Sequence, residues 1–240
     1  MFEKNIVFLY FCIYYIFICT YNIYGGLMII IGIIGRPVTV DGNNGIIAYK
    51  NLCDKLFNYG VFPVCLIPSI NDDLTFDSED LLRLKKMICF CDGIILQGGE
   101  EFNDLDKVIT KYLYDKNIPV LGICLGMQIM GSVFNGTILK DANHNVSKDY
   151  VHYVKLNKNS KIYEIILKDY IFVNSKHNDR VYSTDLDVSG YCGDIIESLE
   201  DKNKIFFIGV QWHPEFLDDE NSDRLFLAFI DACKSSKNNI

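Results

Sequence analysis

The chain has 240 residues, half of them hydrophobic, and a net charge of −8. That size and apolar content fit one α/β domain with a full core. With 23 Lys and Arg against 31 Asp and Glu, and no basic block, a nucleic-acid partner is not expected, and acidity of this size says little about substrate.

Residues 1–27 stand apart. An apolar run from Ile6 to Cys19 follows only Glu3 and Lys4. It is shorter than the roughly 20 residues of a membrane span. Three readings stay open for 1–27: signal, anchor, or a start that belongs at Met28. Residues 28–240 form the expected catalytic domain, and membrane contact is expected only if 1–27 are retained. The nine cysteines are odd in number and contain no C-x-x-C pair. That speaks against a disulfide framework or a zinc site and for a reducing, cytoplasmic setting. No metal or cofactor is expected, and a homo-oligomer is compatible with the sequence.

From Met28 onward, short apolar runs alternate with amphipathic segments. Ile29–Gly35 reads as a strand, Ile46–Tyr59 as a helix stopped by Gly60, and Val61–Ile67 as a strand. A helix opens at Asp77-Ser78-Glu79 and runs to Cys89, with acidic residues in its first turn. Gly93–Leu96 is a buried strand, Asp104–Lys116 a helix, Pro119–Ile123 a strand and Leu125–Phe134 a helix. All-apolar strands separated by helices imply a mostly parallel sheet covered on both faces. After Gly136 the pattern becomes β-rich. Strands are expected over Val151–Leu156, Ile171–Val173, Val181–Leu186, Ile195–Leu199 and Ile205–Val210, with a closing helix over Ser222–Lys234.

Gly122-Ile123-Cys124-Leu125-Gly126 has the form G-x-C-x-G at a strand-to-helix junction. A nucleophile on so sharp a turn tolerates nothing bulky two residues either side. Its thiol lies at a helix N-terminus, and the Leu125 N–H is placed to hold an oxyanion. The alternative is a structural cysteine beside unrelated glycines. A second segment, Gln211-Trp212-His213-Pro214-Glu215, supplies a base in His213 and a carboxylate in Glu215 to orient it. A third, Leu96-Gln97-Gly98-Gly99-Glu100, ends a buried strand in two glycines, so the Gly99 region is a further oxyanion donor.

Together these motifs resemble the class I glutamine amidotransferase-like superfamily, whose fold is flavodoxin-like. The resemblance covers nearly all of Met28–Lys234. It implies a Cys124–His213–Glu215 triad that forms a γ-glutamyl-thioester, with Gly99 and Leu125 holding the oxyanion. Val173-Asn174-Ser175-Lys176-His177-Asn178 and Ile33-Ile34-Gly35-Arg36-Pro37 look like the γ-glutamyl-γ-aminobutyrate hydrolase group, peptidase family C26. By that resemblance His177 lines the pocket, and Gln128 on the nucleophile helix contacts the glutamyl moiety. The sequence departs from the group at Asn178-Asp179, where His-Gln is usual, and at Gln97, where Pro is common. The leading expectation is a γ-glutamyl amide hydrolase. The alternatives are a glutaminase component that feeds ammonia to a partner synthase and a non-catalytic binding homologue.

Overall fold

A computed structural model describes residues 28–68, 75–140, 144–146 and 148–237; the apolar run of residues 6–19 lies outside them. The first strand, β1 (Ile30–Ile34), lies between β4 (Phe62–Leu66) and β5 (Gly93–Leu96), parallel to both. Next come β6 (Val120–Ile123), parallel to β5, and β15 (Phe207–Val210), parallel to β6. Four strands extend the sheet antiparallel beyond β15: β14 (Ile195–Glu200), β13 (Asp187–Cys192), β9 (His152–Leu156) and β10 (Tyr170–Val173). The nine-stranded order is β10-β9-β13-β14-β15-β6-β5-β1-β4.

Strand side chains alternate between two cores. Ile31, Ile33, Leu121 and Ile123 pack on the side covered by α1 (Lys50–Asn58) and α6 (Glu220–Lys237), with Leu52, Leu56, Phe226 and Phe229. Ile94, Leu96 and Val120 face α2 (Ser78–Ile88), α3 (Asp104–Asp115) and α4 (Leu125–Val133), with Leu84, Ile109 and Met127. Such two-sided burial is why these strands are apolar throughout. The expected α/β class with a mostly parallel, doubly covered sheet and a β-rich addition is what the structure has. Asp77 and Asn103 each build a capping box at the start of α2 and α3, matching the acidic opening turns.

Three local expectations are corrected. The segment before α1 is not helical from Ile46. Instead β2 (Arg36–Val40) and β3 (Asn43–Ile47) form a hairpin, turned by Asp41 and Gly42 at φ 50° and 77°. Asp-Gly is a strong two-residue hairpin signal because both positions tolerate positive φ. The strand expected over Val181–Leu186 ends at Ser183, and β12 (Arg180–Ser183) pairs with β7 (Thr137–Leu139) outside the main sheet. The β-rich half also contains α5 (Lys161–Ile166), β8 (His144–Val146) and β11 (Ser175–His177), which the apolar pattern does not mark. No helix among the described residues is long and apolar enough to cross a membrane, and every described cysteine is free.

Candidate active site

The neighbouring parallel strands β5, β6 and β15 deliver all three motifs to one sheet edge. Leu96 is in register with Gly122, and Ile123 with Val210. Continuing that register puts Gly98, Cys124 and Gln211 level with one another just past the strands, at the carboxyl ends where α/β sheets build their sites.

Cys124 stands at φ 51°, ψ −103°, a strained conformation for a residue with a side chain, directly before α4. Its own N–H donates to the Val210 carbonyl at 2.8 Å, which locks the turn onto β15. The two glycines permit this. A Cβ on Gly126 would lie 1.9 Å from the Leu96 carbonyl oxygen, and one on Gly122 would lie 2.9 Å from the Gly126 carbonyl carbon. Both obstacles are backbone and cannot rotate away. The G-x-C-x-G spacing thus reports helix and strand in direct backbone contact.

His213 faces the thiol. A Cβ on Gly98 would touch both partners, 2.9 Å from His213 Cε1 and 3.8 Å from Cys124 Cβ, so Gly98 leaves the gap between them open. His213 Nδ1 is 2.7 Å from Glu215 Oε1. Burial works against a charged ring here. Glu215 and the Cys124 sulfur outweigh it, and the imidazole is pushed up to about 10. Pro214 and Glu215 begin a short 3-10 turn that fixes the carboxylate against the ring.

Gly99 lies beside the first residue of α4: a Cβ there would be 3.0 Å from Leu125 Cδ2. The Leu125 N–H opens the helix, among the donors that have no intrahelical acceptor. Gln97, the departure from the usual proline, is buried. Its Nε2 donates to the Ile34 and Ile47 carbonyls at 3.0 and 2.9 Å, and its Oε1 accepts from the Tyr49 N–H at 3.0 Å. It fastens the β2–β3 hairpin to the site.

Gln128 is also buried; its Nε2 donates to the Asp179 carbonyl at 3.0 Å and to Gln211 Oε1 at 3.3 Å. His177 faces Asp179 and Glu197. Its Nδ1 lies 3.0 Å from the Asp179 carbonyl oxygen, its Nε2 faces Glu197 at 3.7 Å, and its side chain is 1% exposed. The expected pocket position for His177 is therefore not the one it occupies.

Two residues of the site carry no role in the sequence reading, although Gln211 stands at the head of the second motif. Gln211 Nε2 donates to Cys124 Sγ at 3.6 Å. Asn174 accepts from the His213 N–H and donates to the His213 carbonyl, both at 2.8 Å. The V-N-S segment carries the second signal: a buried Asn before a short strand needs backbone partners.

Beside the site a cavity of about 970 Å³ is lined by Arg36, Ile46, Tyr49, Gly99, Phe102 and Asp179, among others. Arg36 is buried, not a surface residue. Its Nη1 pairs with Asp106 at 2.6 Å, while Nε and Nη2 have no protein partner.

Residues 103–215 match the Peptidase C26 family. A glutamine-hydrolyzing GMP synthase component from Picrophilus torridus is 32% identical over 60% of this chain and 77% of that protein. The CTP synthase of a Hydrogenobaculum species is 28% identical over 77% of this chain, which spans only 41% of that enzyme's length. Among solved structures, the glutaminase domain of Trypanosoma brucei CTPS superposes with a TM-score of 0.63 at 16% identity, over 87% of this chain and 94% of that one. That last likeness is one of fold. With the relatives' identity and coverage, the chain belongs to the class I glutamine amidotransferase-like superfamily, with a Peptidase C26 match across its site.

Proposed function

We propose that the chain hydrolyses γ-glutamyl amides through a covalent thioester on Cys124, with glutamine as the leading substrate. The observation that supports this reading is that Cys124 and His213 flank Gly98 at the ends of β6 and β15, with the His213 ring 2.7 Å from the Glu215 carboxylate. His213 takes the thiol proton, and the sulfur attacks the γ-carbonyl carbon. The N–H groups of Leu125 and Gly99 receive the oxyanion. As the C–N bond breaks, His213 returns the proton to the departing amine. Water, deprotonated by His213, then releases glutamate and frees the sulfur. Arg36, which lines the cavity and has two guanidinium nitrogens without a protein partner, binds a carboxylate of the glutamyl group. Gln128 holds Gln211 and the Asp179 backbone in place beneath the substrate.

The amidotransferase relatives favour ammonia as the released amine, passed to a partner synthase. The expectation of a stand-alone hydrolase of γ-glutamyl-γ-aminobutyrate is the second reading. It is supported by the V-N-S-x-H segment. The test is to incubate the purified chain with glutamine and a panel of larger γ-glutamyl amides and identify products by mass. Glutamine turnover that rises with a synthase partner supports the first reading. Partner-independent cleavage of the larger amides supports the second. No cleavage of any γ-glutamyl amide under either condition contradicts both.

A further inference from the structure

Three of the four histidines in the chain converge on one buried carboxylate away from the thiol. Glu197 on β14 is fully buried, and neither of its oxygens has a hydrogen-bond partner. His152 Nε2 on β9, His144 Nδ1 on β8 and His177 Nε2 on β11 lie 3.3, 3.5 and 3.7 Å from the same oxygen, Oε1. Strand pairing sets this up. His144 is in register with His177, and the Ser175 hydroxyl bonds the His144 carbonyl.

The spacing is the informative feature. A charge-assisted N–H···O⁻ bond closes to about 2.7–2.9 Å. The three contacts are all longer. Donor atoms bound tetrahedrally at about 2.0–2.1 Å from an ion sit about 3.4 Å apart. The tautomer of His177 points the same way. The Asp179 carbonyl only accepts, so the nearby Nδ1 carries a proton and Nε2 is the nitrogen that can offer a lone pair toward Glu197. A lone pair facing a buried carboxylate is repulsive unless a positive charge lies between them. A backbone carbonyl behind a ligating imidazole is also the usual support of a metal-bound histidine.

We propose that His144, His152 and Glu197, joined by His177, bind a divalent metal ion of the zinc type. The donor atoms of the first three already lie within 4.8 Å of one another. Imidazole nitrogens with one carboxylate oxygen suit zinc rather than magnesium or calcium. The ion ties β8, β9, β11 and β14 together. It steadies Gln211 as well, because the Gln211 N–H donates to the Glu197 carbonyl at 2.8 Å. The site is separate from the proposed reaction and stands whether or not that reaction is correct.

The test is a Co²⁺ titration of the full chain after chelator treatment, followed by visible absorption, then displacement by Zn²⁺. The Cys124→Ser, His144→Ala and His152→Ala variants are titrated in parallel, with circular dichroism to confirm folding. One Co²⁺ per chain is expected, with the intense ligand-field band of a four-coordinate ion and no sulfur charge-transfer band. Cys124→Ser should bind as wild type does, and each histidine variant at least about tenfold more weakly. Zn²⁺ should raise the melting temperature of wild type and Cys124→Ser alone. Absence of a Co²⁺ band in the wild type overturns the proposal. So does a band lost in Cys124→Ser and kept in the histidine variants, because it places the ion on the thiol.

Discussion

Asn174 grips His213 by both backbone polar groups, accepting from its N–H and donating to its carbonyl at 2.8 Å each. Asn174 touches neither the thiol nor the cavity, so it acts by aiming the ring. Replacing it with Ala leaves two backbone groups of His213 without partners and lets the imidazole drift. Asn174→Ala is expected to lower kcat about 10- to 100-fold with KM nearly unchanged, as steady-state kinetics would show. A change confined to KM would assign Asn174 to substrate binding instead.

The two glycines of the elbow should respond to substitution very differently from a hairpin glycine. Gly126→Ala drives a Cβ into the Leu96 carbonyl at 1.9 Å, whereas at Gly45 the nearest atom would be at 3.6 Å. Gly126→Ala is expected to lose about 3 kcal/mol of stability or fail to fold. Gly45→Ala should stay within about 1 kcal/mol of wild type. Denaturant unfolding of the two variants measures the contrast, and equal effects would mean α4 and β5 are not in backbone contact.

The His213–Glu215 pair predicts a direction for stability against pH. In the folded chain burial disfavours the charged ring, yet Glu215 and Cys124 push it from 6.5 up to about 10. The protonated ring therefore favours folding. That contribution is complete below about 6.5, the pKa of an unfolded histidine, and fades as pH rises toward about 10. Wild type is expected to lose more stability than Glu215→Gln across that window, in chemical unfolding at a series of pH values. Parallel profiles would mean that Glu215 does not raise the ring.

Arg36 offers a fork with one prong used. Lys in its place keeps a cation for Asp106 but removes the Nε and Nη2 donors, which have no protein partner. Arg36→Lys is expected to raise KM for a γ-glutamyl amide about tenfold while kcat stays within about twofold. An unchanged KM would remove Arg36 from the substrate contacts.

Much of this architecture can be read from the sequence because the informative residues obey local rules. The all-apolar strands around Ile33, Ile95 and Leu121 are buried on both faces, so composition alone marks them. Asp77 and Asn103 begin helices through their own side chains. The hairpin before α1 is hidden because Ile46, Ile47 and Ala48 suit a helix start, and that apolar run outweighs the Asp41-Gly42 turn. The strands β8 and β11 are short and polar. Pairing across the fold makes them strands, and no periodicity reveals that. Resemblance puts His177 in the pocket, yet Glu197, twenty residues on along the chain, turns it inward. The partners that decide where a histidine faces are distant in sequence. The same is true of Asn174 and His213.

The central claim is that the Cys124 sulfur becomes acylated by the γ-glutamyl group. Acid quenching during turnover with a γ-glutamyl amide, followed by peptide mass analysis, tests it directly. The expected result is one γ-glutamyl group on the peptide containing Cys124, present in wild type and absent in a folded Cys124→Ala protein that has no hydrolytic activity. Hydrolysis by Cys124→Ala at the wild-type rate, or a γ-glutamyl label on another residue, would contradict it.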